Sequence, residues 1–206
     1  MLKISKKSVF LVILFSFFSI VVTAQNYERN AEVYMASGQY ANAIREYAAY
    51  IKQYGSKSTI EEQKSLAEKC LNLLNYAEQA ENQDDYERAL DWYKELYKNH
   101  ALEKYEIKTI EMQEQIDLLN MEKDREISRE YFYKGKECYD SQNYDGAIYN
   151  FYIAANKGHV EAMYYLGESC RNKNGWNGVY NSQSGYTHYA HEAYQKAADN
   201  NFILAL

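Results

Sequence analysis

The side chains best equipped for chemistry gather toward the C-terminal end of the 206-residue chain. His188, His191 and Glu192 stand three and four apart. On a helix that spacing puts two imidazoles and a carboxylate on one face, within reach of a divalent cation. Cys170 with either histidine would supply a nucleophile and a base. Both options meet objections in their surroundings. His191 falls at the aliphatic place of an apolar stripe that returns through the chain, so packing is its expected role. Nothing near Cys170 suggests an orienting group or an oxyanion donor. No zinc-protease helix motif, phosphate-cradling glycine loop or glycine-flanked serine is present. The expectation is a protein that is not an enzyme, with no catalytic residue, metal site or cofactor. Cys70, Cys138 and Cys170 are an odd count on apolar helical positions and read as small core residues, a Cys138–Cys170 bridge being the alternative.

The elements that must position these residues are helices. The chain has no proline, only 9 glycines and 23 tyrosines. Helices can therefore run long, and meet around large rings whose hydroxyls reach water. One pattern returns three times: Tyr40, Ala43, Ile44, Tyr47 and Ile51; Tyr86, Ala89, Leu90, Tyr93 and Tyr97; Tyr144, Ala147, Ile148, Phe151 and Ala155. The spacing draws one stripe down a helix. Alanine at a fixed place marks where a neighbouring helix passes too close for a larger side chain. Before each stripe stands a polar turn (Ser37-Gly38, Gln83-Asp84-Asp85, Ser141-Gln142-Asn143). Before each turn stands another helical pattern, with Ala31 and Tyr34, Leu73, Ala77 and Ala80, or Tyr131, Gly135 and Cys138. These are helical hairpins, and a lone hairpin cannot bury its apolar face, so copies must stack.

On these residues the chain resembles the tetratricopeptide repeat family: a small residue in the first helix (Ala31, Ala77, Gly135), an aromatic at the turn, and the alanine of the second helix. Where that family often carries proline after the second helix, Gly55, Ala101 and Gly158 lie here. The last third is similar to the Sel-one-like form of the hairpin, through residues 155–167 and 192–206, with Ala162 and Gly167 opening a unit and Ala190, Tyr194, Ala197 and Ala198 closing it. The resemblance covers residues 26–206 and implies an all-α fold, an α-α superhelix or solenoid of helical hairpins, of exported bacterial type. It implies protein or peptide binding.

The repeats are irregular. Ala43, Ala89, Ala147 and Ala190 lie farther apart than the about 34 residues of a tight array. The first excess is a longer helix, where Ser58 and Glu61 form a capping-box pattern ahead of Leu66, Cys70, Leu73, Leu74 and Ala77. The second is an added helix, about 103–121, with Met112, Ile116 and Leu119 as its stripe, followed by a nearly all-charged stretch from Glu122 to Glu130. The expected organisation is a signal segment at 1–24, tetratricopeptide-like hairpins at 25–101, a connecting helix at 102–128 and Sel-one-like hairpins at 129–206.

Residues 1–24 read as a cleaved export signal: Lys3, Lys6 and Lys7, an apolar run from Val9 to Val22, then Thr23 and Ala24 before the cut. The run is too short to span a bilayer comfortably, although an uncleaved anchor is the alternative. Export places the protein in the periplasm or outside the cell, with membrane contact only through that segment. Losing three lysines and no acids takes the net charge from −6 to −9. An acidic body without a basic cluster disfavours nucleic acid. The C-terminal Phe202, Ile203, Leu204 and Leu206 would begin another hairpin, so either the chain is a truncated or regulatory part of a larger envelope protein, or this apolar end docks, possible self-association included.

In stacked hairpins of the resembled family the first helices line the concave wall. That places Arg129, Phe132, Lys136 and Tyr139 of the third unit, and Tyr164, Glu168 and Arg171 of the fourth, on the partner-binding face. Trp176 joins them from a glycine-rich loop. Aromatics interleaved with arginine suit protein contacts. The first two units present Glu28, Glu32, Glu78 and Glu81 instead. Some members of the resembled family grip carboxylate tails with lysine and asparagine at set places. The corresponding first-unit places hold Glu28 and Glu32 here, so that clamp is not expected.

Overall fold

The computed structural model describes the backbone of residues 6–173 and 185–200 and of Phe202, and the side chains of 21–173, 191–200 and Phe202. Every regular element among them is an α-helix: α1 (Lys6–Ala36), α2 (Tyr40–Tyr54), α3 (Ser58–Glu81), α4 (Tyr86–Asn99), α5 (Glu103–Asp140), α6 (Tyr144–Asn156), α7 (Val160–Lys173) and α8 (Gly185–Asp199). α1 packs on α2, α2 on α3 and α3 on α4; farther along, α6 packs on α7 and α7 on α8. Short turns join packed neighbours, so the fold is all-α, a helical-hairpin repeat of the α-α superhelix class. Two compact units form, Met1–Ile116 and Asp117–Leu206, and α5 contributes to both.

The turns inside the hairpins share one construction. Gly38, Asp84 and Gln142 take positive φ of 69°, 56° and 60°. The next residue's N–H reaches back into the preceding helix, from Gln39 to Tyr34, from Asp85 to Ala80 and from Asn143 to Cys138. This is the left-handed helix stop that uncovers the last carbonyls and then satisfies them. Asp85 and Asn143 start the following helix by accepting the N–H of Arg88 at 3.3 Å and Gly146 at 3.1 Å.

The stripes meet where the small residues permit. Ala43, Ala89 and Ala147 are fully buried, and so are Ala31 and Ala77 on the facing helices. Gly135 shows why nothing larger stands there: a β-carbon would lie 2.6 Å from the Phe151 ring. In the first unit the interior is built on Tyr40, Tyr47, Tyr93, Cys70, Leu96 and Met112. In the second it is built on Phe132, Phe151, Ala147, Ala154 and Ala162.

Four local expectations are corrected. Ser58 is already helical, with Lys57 before it, so the expected capping box does not form; Glu61 takes a hydrogen bond from Ser56 and Glu62 one from Ser58. Leu119 is exposed at 53%, because the core ends one turn earlier at Ile116. The all-round polarity of the charged stretch predicts a helix that bridges rather than packs, but within α5 Asp124 pairs with Lys157 at 2.7 Å and Ser128 is buried. In α8 Ala193 and Ala197 are buried among the described side chains. Tyr194 lies against Gly167 as Phe151 lies against Gly135, which puts it at the aromatic place of the stripe. His191 is exposed rather than packed.

Candidate functional site

The chemical candidates resolve first. Cys70, Cys138 and Cys170 are free thiols. Burial pushes the Cys170 thiol up to about 11, the nearby Lys173 only partly opposing it. Such a thiol stays protonated at neutral pH, so the thiolate that a nucleophile requires is missing. The side chain of His188 lies outside the described residues, as does Trp176. Among the described residues no three His, Cys, Asp or Glu side chains are grouped to hold a metal.

The face expected to bind a partner is partly inside the protein. Phe132 is 7% exposed, stacked on His159 at 4.3 Å between centroids and packed on Phe151 and Tyr165. It is a core residue: Arg129 is exposed, and three residues further the helix has rotated Phe132 toward α6 and α7. Glu168 is also buried, at 8% exposure. It accepts a hydrogen bond from the Tyr194 hydroxyl at 2.7 Å and pairs with Arg171, which neutralises the buried charge. Burial, then the Glu168 carboxylate, pushes the Tyr194 hydroxyl pKa well up.

Lys136, Tyr139, Tyr164 and Arg171 do come together, on the last turns of α5 and along α7. The Lys136 ammonium sits 4.2 Å from the Tyr165 ring centre and 5.4 Å from that of Tyr139. Burial disfavours its charge, but Tyr165 and Asp140 outweigh that and hold its pKa above the ordinary value. Asn172 donates to the Tyr139 hydroxyl at 2.9 Å. Tyr164 packs on Tyr165, Tyr194 and Phe202. Tyr165 and Asn172 were not foreseen, and Tyr194 was expected only in the helix stripe. Each acts across a helix–helix crossing, and spacing along one helix carries no signal for that.

The acidic expectation in the first unit divides in two. Glu28 pairs with Lys57 at 3.3 Å, and Glu81 with Lys108 at 2.8 Å while accepting from the Tyr93 hydroxyl. Glu32 and Glu78 are exposed and make no ion pair with the described residues.

No protein-family model matches the chain, and no curated protein does. One similar solved structure is the TPR2AB-domain:pHSP90 complex of yeast Sti1, at 13% identity and a TM-score of 0.46, covering 89% of this chain and 80% of that chain. It adds nothing to what the hairpins themselves show.

Proposed function

We propose that this protein is an exported, non-catalytic repeat scaffold that holds a protein or peptide partner, with Sel-one-like hairpins at 129–206, acting in the periplasm or outside the cell. The observation that carries the reading is the cluster on α5 and α7. There Lys136 is set over two tyrosine rings, beside Arg171, Asn172 and Tyr164, with the one buried carboxylate, Glu168, already satisfied. Amphipathic rings and fixed cations form a contact surface for polypeptide, and the buried, protonated thiol of Cys170 offers no chemistry beside it. The export reading rests on Lys3, Lys6 and Lys7 before the apolar run.

The test is capture of partners from the native envelope fraction by the full chain and by the double variant Arg129→Glu, Tyr164→Ala. The variant is expected to lose the wild-type partner with unchanged helical circular dichroism. Equal capture by both removes this face from the proposal. A product of native cells that retains residues 1–24 in the cytoplasm removes export.

A further inference from the structure

A pocket in the first unit has a different chemistry from the α5–α7 face. It holds about 260 Å³ and is lined by Met35 of α1, Tyr47 of α2 and Leu66 of α3, with Glu32, Gln63 and His100 as its polar members. The wall is therefore mostly apolar, and the one full charge on it at neutral pH is the Glu32 carboxylate. Two cations of the same unit are already engaged. Lys57 is held by Glu28, and Lys104 donates to the Ser37 carbonyl at 3.0 Å. His100 is tied back by the Tyr40 hydroxyl at 2.9 Å from its Nδ1 and is held neutral, chiefly by burial. Nothing among the described residues neutralises Glu32 from within.

A largely apolar pocket with a carboxylate on its wall is complementary to an alkyl chain that ends in a cation. Long cationic side chains satisfy both halves, laying methylenes on apolar surface while the charged head stays at a polar edge. Gln63 adds a carbonyl acceptor beside the carboxylate. We propose that this pocket receives a lysine side chain of a partner polypeptide, its stem against Met35, Tyr47 and Leu66 and its ammonium at Glu32. The inference rests on the first unit alone, not on the α5–α7 face.

The test uses the full chain labelled on its methionine methyl groups. Only five methionines are present, so the Met35 signal is separable by NMR. The probes are capped pentapeptides of four alanines around a central lysine, norleucine or glutamate, together with cadaverine. The lysine peptide is expected to move the Met35 signal saturably and to bind about five-fold more tightly than the norleucine peptide. Glu32→Gln, at an exposed position that folding does not need, is expected to erase that preference while leaving norleucine affinity unchanged. Leu66→Ala should weaken both peptides alike. Arg129→Glu with Tyr164→Ala should bind the lysine peptide as the wild type does, whatever its effect on the partner of the other face. Equal affinity for the three peptides, an unmoved Met35 signal, or a lysine preference that survives Glu32→Gln would overturn the proposal. Cadaverine binding as tightly as the lysine peptide would also overturn it, by assigning the pocket to a free diamine.

Discussion

The two compact units use the same hairpin with different rings at one repeated place: Tyr47 and Tyr93 in the first, Phe151 in the second. In the first, ring hydroxyls turn inward: Tyr40 meets His100 and Tyr93 meets Glu81, which Lys108 also holds. The buried Tyr105 hydroxyl there has no hydrogen-bond partner among the described residues. In the second, Phe151 takes the place of Tyr47 and Tyr93 and lies beneath Gly135, Phe132 stacks on His159, and the Tyr194 hydroxyl reaches the buried Glu168. Toward its surface, Lys136 rides on the rings of Tyr139 and Tyr165. A stripe that asks only for "aromatic" at a place leaves both solutions open. The choice between tyrosine and phenylalanine decides whether that place must find a hydrogen-bond partner.

The comparison breaks most readily at Phe151. Phe151→Ala should destabilise the second unit by about 3–5 kcal/mol, since the ring is fully buried under a glycine that cannot follow it inward. Urea unfolding followed through both units should then become biphasic, the second unit melting first. A single transition shifted as a whole would show that the units do not unfold separately. Next in size is Tyr93→Phe, which removes a donor from Glu81 but leaves Lys108 in place. A loss of about 1 kcal/mol in the first unit is expected in the same experiment.

Each unit also holds one histidine whose pKa is lowered, mainly by burial: His100, with Lys104 adding to the effect, and His159, where Glu161 partly opposes and Arg129 assists. The unfolded chain takes up these protons first. Both units should therefore be fully stable above the ordinary histidine value near 6.5 and lose stability as the pH falls below it. In the second unit the cause is visible: His159 Nδ1 accepts the Ala162 N–H at 3.3 Å at the start of α7, an acceptor that protonation removes. His159→Asn keeps a capping acceptor that does not titrate. It should flatten the pH dependence of the second unit between pH 7 and 5 while the first unit keeps its own. Parallel curves in the variant and the wild type would refute this.

The smallest effect concerns the shared turn. Gln142 occupies a left-handed conformation that Gly38 occupies in the first hairpin. Gln142→Gly should stabilise the second unit by about 0.5–1 kcal/mol in chemical unfolding. Gly38→Ala should cost more than that, because the added carbon meets Lys104 and the Tyr105 hydroxyl as well as the strained φ.

The hairpins were legible because helix periodicity is local: Tyr40, Ala43 and Tyr47 announce one buried stripe whatever surrounds them, and the polar turns announce its start. Three kinds of information were not local. Phe132 was expected to face a partner, but the side of α5 that is covered is decided by where α6 and α7 lie. His191 falls at the aliphatic place of its stripe yet is exposed, and which side of α8 is covered depends on where α7 lies. The pocket beside Glu32 draws residues from three helices and from His100, so no spacing within one helix could reveal it.

By itself the sequence determined the class of element, the pairing of elements into hairpins and the thiol-and-histidine chemistry to be doubted, since these follow from side-chain type and a 3.6-residue period. The tertiary structure alone decided which aromatic faces in or out, which carboxylate is paired, and which cations meet which rings. Those outcomes depend on contacts between helices, and a helix does not encode the surface of its neighbour.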